Sequence, residues 1–147
     1  MWKHAATIPV RPLFRSTSSL KEGETEQSHY STCIEACNHC ADACDMCAAA
    51  CLREDDVKMM ARCISLDMDC AQSCRLAASV MARGGEAAQA VCSACAEVCG
   101  RCAEECANHP MQHCQECAAA CRECAVECRR MGGMALGAPG YGVPAPH

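Results

Sequence analysis

Aromatic residues are nearly absent from this chain of 147 residues, since Trp, Tyr and Phe together make up only 3% of it. Stacking platforms for single-stranded nucleic acid depend on such side chains. Positive charge is not in excess either: the net charge is −5, and acids and bases are mixed along the chain. A basic surface for nucleic acid is therefore not expected, and nucleic-acid binding is removed from the functions to be considered.

Long hydrophobic runs are also missing, so no membrane span is predicted, which would need about 18 apolar residues. Near the N-terminus Pro9, Arg11 and Pro12 interrupt the apolar residues, and neither a secretory hydrophobic core nor an adjacent arginine pair is present. Four basic residues before Glu22, together with several serines, leave an organellar transit peptide as an alternative. We expect a cytoplasmic protein that does not associate with membranes.

Proline is nearly absent from the middle of the chain, where Pro110 stands alone. Ala, Cys, Glu, Arg and Met dominate this region, and few of its residues favour strands. We predict that residues 1–29 form an N-terminal tail that allows a short helix, and that residues 30–131 form a cysteine-rich helical domain. Residues 132–147 are dominated by Gly and Pro and are predicted to be a disordered tail.

Four helices are predicted in the middle region. The first is expected to begin near residue 31, where Thr32 and Glu35 have the spacing of a capping box. The second is expected to begin at Asp55 and Asp56, whose charges suit the positive end of a helix dipole. The predicted ranges are about 31–52, 55–83, 86–107 and 110–131. Short connections between helices of similar length predict an all-α fold, an antiparallel up-down four-helix bundle.

Cysteine is what the sequence has in abundance, with 19 residues. Spacings of 3 and 4 alternate in three stretches, 33–51, 92–106 and 114–128, and the second of them reads CSACAEVCGRCAEEC. This is the a/d pattern of a heptad, so each stripe should face the neighbouring helices and give the bundle a cysteine-lined core. The last two stretches also align without gaps as CxxCxxxCxxCxxxC, which indicates an internal repeat.

The large number of thiols has several possible explanations. Cysteine as a mere buried hydrophobe does not account for the number, because Ala, Val or Leu would fill the core without the risk of oxidation. A disulfide framework is disfavoured by the odd total and by the lack of an export signal. Structural zinc sites usually take four ligands from loops, and iron–sulfur motifs have other spacings. A zinc-buffering, metallothionein-like protein and a thiol redox protein that uses one CxxC pair stay open as alternatives.

Unbroken helical stripes of thiols suit Cu(I) best. Soft thiolates select this ion, and it accepts two or three sulfur ligands. Cysteines four apart on a helix have Cβ atoms roughly 5–6 Å apart, so each CxxxC pair can clamp one ion. Each thiolate carries −1 and each Cu(I) +1, so loading at about one ion per cysteine would leave the core nearly neutral. We therefore predict storage and detoxification of many Cu(I) ions, and no enzymatic activity, since no catalytic constellation stands out.

The stretches CIEACNHCADACDMCAAAC and CISLDMDCAQSC and the two repeated stripes resemble the bacterial copper storage proteins, over about residues 30 to 131. That family consists of cysteine-rich four-helix bundles that fill with Cu(I). Without an export signal, the chain is similar to the cytosolic branch of the family. The resemblance implies a homotetramer. Copper chaperones or efflux components are the protein partners to be expected of such a store.

The predicted metal ligands are all the cysteines, together with two histidines of the connection between the third and fourth helices, where family members also carry histidine. They are Cys33, Cys37, Cys40, Cys44, Cys47, Cys51, Cys63, Cys70, Cys74, Cys92, Cys95, Cys99, Cys102, Cys106, Cys114, Cys117, Cys121, Cys124, Cys128, His109 and His113. His109 and His113 are expected to mark the end at which copper enters.

The second helix has few cysteines, and its heptad continues through other residue types. The predicted inward row is Met60, Cys63, Asp67, Cys70, Cys74, Ala77 and Met81. If the helix is slightly rotated, Asp67 is expected to be solvated or to cap a neighbouring helix. Otherwise it is expected to be a polar residue of the core that tunes a site or accepts thiol protons. Met60 and Met81 are interpreted as core filler, although a thioether is also a soft Cu(I) donor.

Overall fold

The computed structural model describes residues 21–133, with side chains described for residues 29–133. These residues form four α-helices and no strand. In chain order, α1 is Lys21–Cys51, α2 is Val57–Ala82, α3 is Ala88–Ala107 and α4 is Gln112–Gly133. Of the predicted tails, residues 1–20 and 134–147 lie outside the described residues, whereas residues 21–29 belong to α1 and residues 132–133 to α4.

The start of α1 differs from the prediction. The helix begins at Lys21 rather than near residue 31, so Thr32 and Glu35 lie inside it and do not form a capping box. The segment KEGETEQ at its start is rich in residues with good helix propensity but has no apolar stripe. Hydrophobic periodicity therefore could not mark this part of the helix.

Both ends of α2 are set by local hydrogen bonds. The helix begins at Val57, just after the predicted start at Asp55 and Asp56. Asp56 is its N-cap, and the carboxylate accepts a hydrogen bond from the backbone N–H of Met59 at 3.3 Å. At the other end the N–H groups of Gly84 and Gly85 donate to the carbonyl oxygens of Met81 and Val80, each at 3.0 Å. This pair of bonds is the Schellman motif, and Gly84 adopts the left-handed φ of 61° that the motif needs.

Replacing Gly84 by Ala is expected to destabilise the metal-free protein by about 1 kcal/mol, because an L side chain is strained at this φ. A Cβ there would meet no atom within 4 Å, so the cost comes from the backbone alone. Gly133→Ala, at the end of α4, is the matched control, since it has equally open space and no positive φ. Urea unfolding of both variants checks this, and equal stabilities for the two would contradict it.

The helix α4 continues to Gly133, two residues past its predicted end at Met131. A Cβ on Gly132 would lie only 3.3 Å from the Cα of Ser93 on α3. The glycine therefore allows the two helices to approach closely at this end, which is a tertiary role rather than a helix stop.

The four helices form the predicted all-α bundle. Helix α1 packs against α2 and α4, and α3 packs against the same two helices. Every member of the inward row predicted for α2 is buried, including Asp67. None of the described helices is long and apolar enough to cross a membrane.

Candidate metal centre

The core of the bundle is a column of thiols. All 19 cysteines are free and buried, with at most 1% of any of them exposed. Neighbouring Sγ atoms approach to 3.5 Å between helices, as in Cys44 and Cys121, and to 3.8–4.0 Å between cysteines four apart on one helix, as in Cys95 and Cys99. The stripes predicted from the sequence thus meet in one continuous network.

Groups of four sulfurs lie close enough to share an ion, because their Sγ atoms are all within 4.8 Å of one another. With a metal–sulfur bond of about 2.3 Å as in zinc sites, two ligands of one ion lie at most about 4.6 Å apart, so the widest separations would have to shorten by a few tenths of an ångström on binding. The groups also overlap: Cys40, Cys44, Cys121 and Cys124 each belong to two of them. Isolated four-thiolate sites need ligands that bind one ion only, whereas thiolates that bridge two ions suit a chain of Cu(I) ions.

Asp67 is the buried carboxyl within this network. It is fully buried, and its Oδ1 atom accepts hydrogen bonds from the thiols of Cys102 at 3.2 Å, Cys106 at 3.3 Å and Cys117 at 3.3 Å. The carboxyl therefore lies in the core rather than in solvent, which decides between the two expectations for this residue. Burial is the largest of the causes that raise the pKa of Asp67 from 3.8 to about 8.

Two turns of the chain lie at one end of the column, which we call the histidine end: the α1–α2 turn and the α3–α4 connection. The sulfur group there consists of Cys47, Cys51, Cys63 and Cys114. Burial, with a contribution from Cys63, raises the pKa of Cys114 to about 11, and burial likewise raises the pKa of Cys51 above its usual range. The thiols of Cys51 and Cys114 therefore hold their protons at neutral pH, and metal binding must displace these protons.

His113 covers the sulfur group of the histidine end. Its Nδ1 atom lies 3.4 Å from the Sγ of Cys114, 3.6 Å from that of Cys47 and 3.8 Å from that of Cys51. The side chain is 23% exposed, whereas all three thiols are buried. The ring therefore connects solvent with the first sulfurs of the core.

His109 is placed differently. Its Nε2 atom lies 3.1 Å from Oε1 of Glu105, and the other oxygen of Glu105 pairs with Arg62 of α2. Among residues 29–133, no sulfur lies within hydrogen-bonding distance of the His109 ring. The structure thus brings His113, but not His109, into contact with the thiols.

The opposite end of the column, which we call the far end, contains Cys33, Cys92 and Cys128. The Sγ atoms of Cys33 and Cys128 are 3.7 Å apart. Met81 is 1% exposed and belongs to the core at this end, and Tyr30 packs against the core from outside. Met60 is likewise buried, at 2% exposure, so both methionines lie in the core.

Sequence reasoning missed three residues of the histidine end, Glu54, Arg62 and Glu105. Glu105 precedes His109 by four residues, a spacing that places the two side chains together on a helix and could have been noticed. Glu54 is 59 residues from His113 along the chain, yet its Oε1 atom lies 2.9 Å from the Nε2 atom of that ring. No sequence pattern marks a contact between two separate turns.

Comparison with known proteins gives a consistent result. A cytosolic copper storage protein from Streptomyces lividans, solved with five coppers, is 43% identical, with 76% of this chain and 98% of that chain covered and a TM-score of 0.71. The same organism's protein loaded with 10 copper equivalents is 42% identical, with 72% and 85% covered and a TM-score of 0.70. Apo Csp3 from Bacillus subtilis is 40% identical, with 70% and 98% covered and a TM-score of 0.65.

No curated protein sequence matches the chain. Residues 26–133 match the family described as copper storage protein. The match covers α2, α3 and α4 completely, and α1 from residue 26 onwards. This chain therefore belongs to the copper storage protein family.

Proposed function

We propose that the protein stores Cu(I) in its thiol core, for copper storage and detoxification, at about one ion per cysteine. The observation that carries this proposal is the overlap of the sulfur groups, in which Cys40, Cys44, Cys121 and Cys124 are shared between neighbouring groups. A thiolate that is shared between two groups can bridge two ions. Cu(I), which accepts two or three sulfur ligands, is the ion that suits such a network best. The solved relatives that hold copper support the same ion.

Charge supports a high loading. The described part of the core contains 19 cysteines and one fully buried carboxyl, Asp67, and no lysine or arginine. Thiolates without metal would leave an uncompensated negative charge in a buried space, which is costly. One Cu(I) per thiolate removes this charge, whereas one divalent ion per thiolate would replace it by a positive charge of similar size.

The proposed ligands are the thiolates of all the cysteines, with His113 and His109 at the end where copper enters. His113 supports this assignment through its contact with the sulfurs of Cys47, Cys51 and Cys114. His109 lies at the same end, where its Nε2 atom contacts the carboxylate of Glu105. Entry at the histidine end is favoured because the partly exposed ring of His113 offers a nitrogen ligand in contact with three buried thiols.

The role is binding rather than catalysis. A reactive cysteine of a redox enzyme is partly exposed and has a pKa lowered by a positive neighbour. Here every thiol is buried, with at most 1% of any of them exposed, so none is open to a protein substrate. A single reactive CxxC pair therefore has no support in the geometry.

Titration of the fully reduced protein with Cu(I) against a competing chelator is expected to saturate near one ion per cysteine, or about 19 ions. Each additional thiolate in the shared network can hold another ion until the core is neutral. The competing chelator reports the free Cu(I) concentration, and atomic absorption reports the total. Tight binding of only two or three ions would contradict the proposal.

A parallel titration with Zn(II) is the control for the alternative function. Zinc prefers four ligands that are not shared with another ion, so a zinc-buffering protein should saturate at roughly one ion per four thiols. A Cu(I) stoichiometry of the same size would favour zinc-type sites over storage. Because ligand thiols must lose their protons, Cu(I) affinity should also rise with pH.

We further propose a cytoplasmic homotetramer that exchanges copper with a chaperone or an efflux component. The cytosolic description of the Streptomyces lividans relative supports the compartment. Leu76 and Met68 of α2, which are 54% and 52% exposed, and Val126 of α4, which is 46% exposed, offer apolar surface for association. Sedimentation equilibrium of the full chain tests the oligomeric state.

A further inference from the structure

Glu54 is a residue of the α1–α2 turn that approaches the ring of His113. Its Oε1 atom lies 2.9 Å from Nε2 of His113, which is the length of a hydrogen bond between well-aligned partners. The carboxylate is 36% exposed and the ring 23% exposed, so the contact lies at the boundary between solvent and core. The contact joins the turn that follows α1 to the first turn of α4.

The two ring nitrogens of His113 therefore have different neighbours. Nε2 faces the carboxylate of Glu54, and Nδ1 faces the sulfurs of Cys114, Cys47 and Cys51 at 3.4, 3.6 and 3.8 Å. An ionised carboxylate only accepts hydrogen bonds. Nε2 must then carry the proton in the neutral ring, and the lone pair belongs to Nδ1, on the side of the thiols.

We propose that Glu54 is a positioning residue: it holds His113 in the tautomer protonated at Nε2, so that Nδ1 joins Cys47, Cys51 and Cys114 in a mixed nitrogen–sulfur site for the first Cu(I) ion. A histidine that binds a metal is generally oriented by an acceptor at its other nitrogen, and this partner also increases the basicity of the ligand. The Cu(I) part of this inference rests on the proposed storage function, and the tautomer part does not.

His109 provides the internal contrast. It too has a carboxylate neighbour, Glu105, at 3.1 Å from Nε2. However, Glu105 is shared with Arg62 and is buried, and among the described residues no thiol approaches the His109 ring. A carboxylate beside a histidine is therefore not sufficient. The sulfurs on the opposite side of the ring distinguish His113.

Nitrogen-15 NMR of the metal-free protein tests the tautomer directly, because it tells a protonated ring nitrogen from an unprotonated one. In the wild type, the His113 signals are expected to show a protonated Nε2 and an unprotonated Nδ1. Glu54→Ala should shift this ring towards a mixture of tautomers, and Glu54→Gln, whose amide oxygen still accepts the Nε2 proton, should restore the wild-type pattern. Asp55→Ala, an exposed acid of the same turn, is the matched control and should leave the signals unchanged.

A protonated Nδ1 in the wild type, or a Glu54→Ala spectrum identical to the wild type, would overturn the positioning role. Glu54→Gln behaving like Glu54→Ala would also overturn it, because charge rather than hydrogen bonding would then be responsible. These outcomes are independent of copper. A failure of the storage proposal, seen as a low Cu(I) stoichiometry, can therefore be told apart from a failure of this inference.

The copper measurement uses substoichiometric Cu(I), at one ion per chain or less, in competition with a chelator. Loss of an outer partner of a ligating histidine typically lowers metal affinity about 10–100-fold. We expect Glu54→Ala to lower the affinity for the first ion by about tenfold, Glu54→Gln to recover most of it and Asp55→Ala to have no effect. Combining Glu54→Ala with His113→Ala should add nothing to His113→Ala alone, since Glu54 acts through the ring. Additive losses would contradict the assignment.

Discussion

Removing Cys51 and Cys114 together is expected to slow the uptake of the first Cu(I) ions by about tenfold or more, the effect of raising the barrier by about 1.4 kcal/mol. Both thiols face His113 at the histidine end, and their Sγ atoms are 3.8 Å apart. A Cu(I) ion moves between thiolates by exchanging one sulfur for the next, so each step needs an incoming ligand within reach. Without these two thiols, the partly exposed ring of His113 keeps, among the residues that the structure describes, Cys47 as its remaining sulfur neighbour.

The matched control removes two thiols from the far end, in the variant Cys33→Ala/Cys92→Ala. Both double variants lose two buried thiols, and both should therefore lose about two ions of capacity if each thiolate holds one ion. Only the histidine-end variant should load slowly, which stopped-flow transfer from a coloured Cu(I) chelate would measure. Equal slowing in the two variants, or slower loading of the far-end variant, would show that copper does not enter at the histidine end.

Replacing Asp67 by Asn is expected to flatten the pH dependence of the stability of the metal-free protein. In the folded protein burial raises the pKa of this carboxyl from 3.8 to about 8. Between these values the unfolded chain has released the proton and the folded chain still holds it, so the stability falls as the pH rises from about 4 to about 8. The Asn variant cannot titrate, and its stability relative to the wild type should therefore improve over this window by an amount on the order of a few kcal/mol.

Asp69→Asn is the control, because Asp69 is an exposed residue of the same helix, two positions from Asp67. Chemical unfolding of the reduced protein, with a chelator present, at several values between pH 4 and pH 8 gives the comparison. The difference between Asp67→Asn and the wild type should grow with pH, and the difference for Asp69→Asn should stay constant. Parallel curves for Asp67→Asn and the wild type would contradict a raised pKa.

The position of Asp67 could be predicted from the heptad pattern, but its burial could not. Its place in the inward row of α2 follows from the spacing of Cys63 and Cys70, and the structure confirms that it is buried. The pattern could not predict whether the carboxyl of Asp67 is buried at that position, because a slight rotation of α2 would expose this side chain to solvent. Three thiols that donate to its Oδ1 atom, from α3 and α4, make burial possible.

Spacing along the chain determined the fold class and the inward direction of the thiols, because a 3,4 repeat leaves a helix only one face on which to place them. It could not determine the start of α1, whose polar first turns contain no apolar stripe. Only the tertiary structure decided which sulfurs share a group, since each group draws on several helices, and which histidine touches them. The contact of Glu54 with His113 joins two turns that are remote in sequence, and such contacts depend on how helices are packed rather than on the pattern of either one.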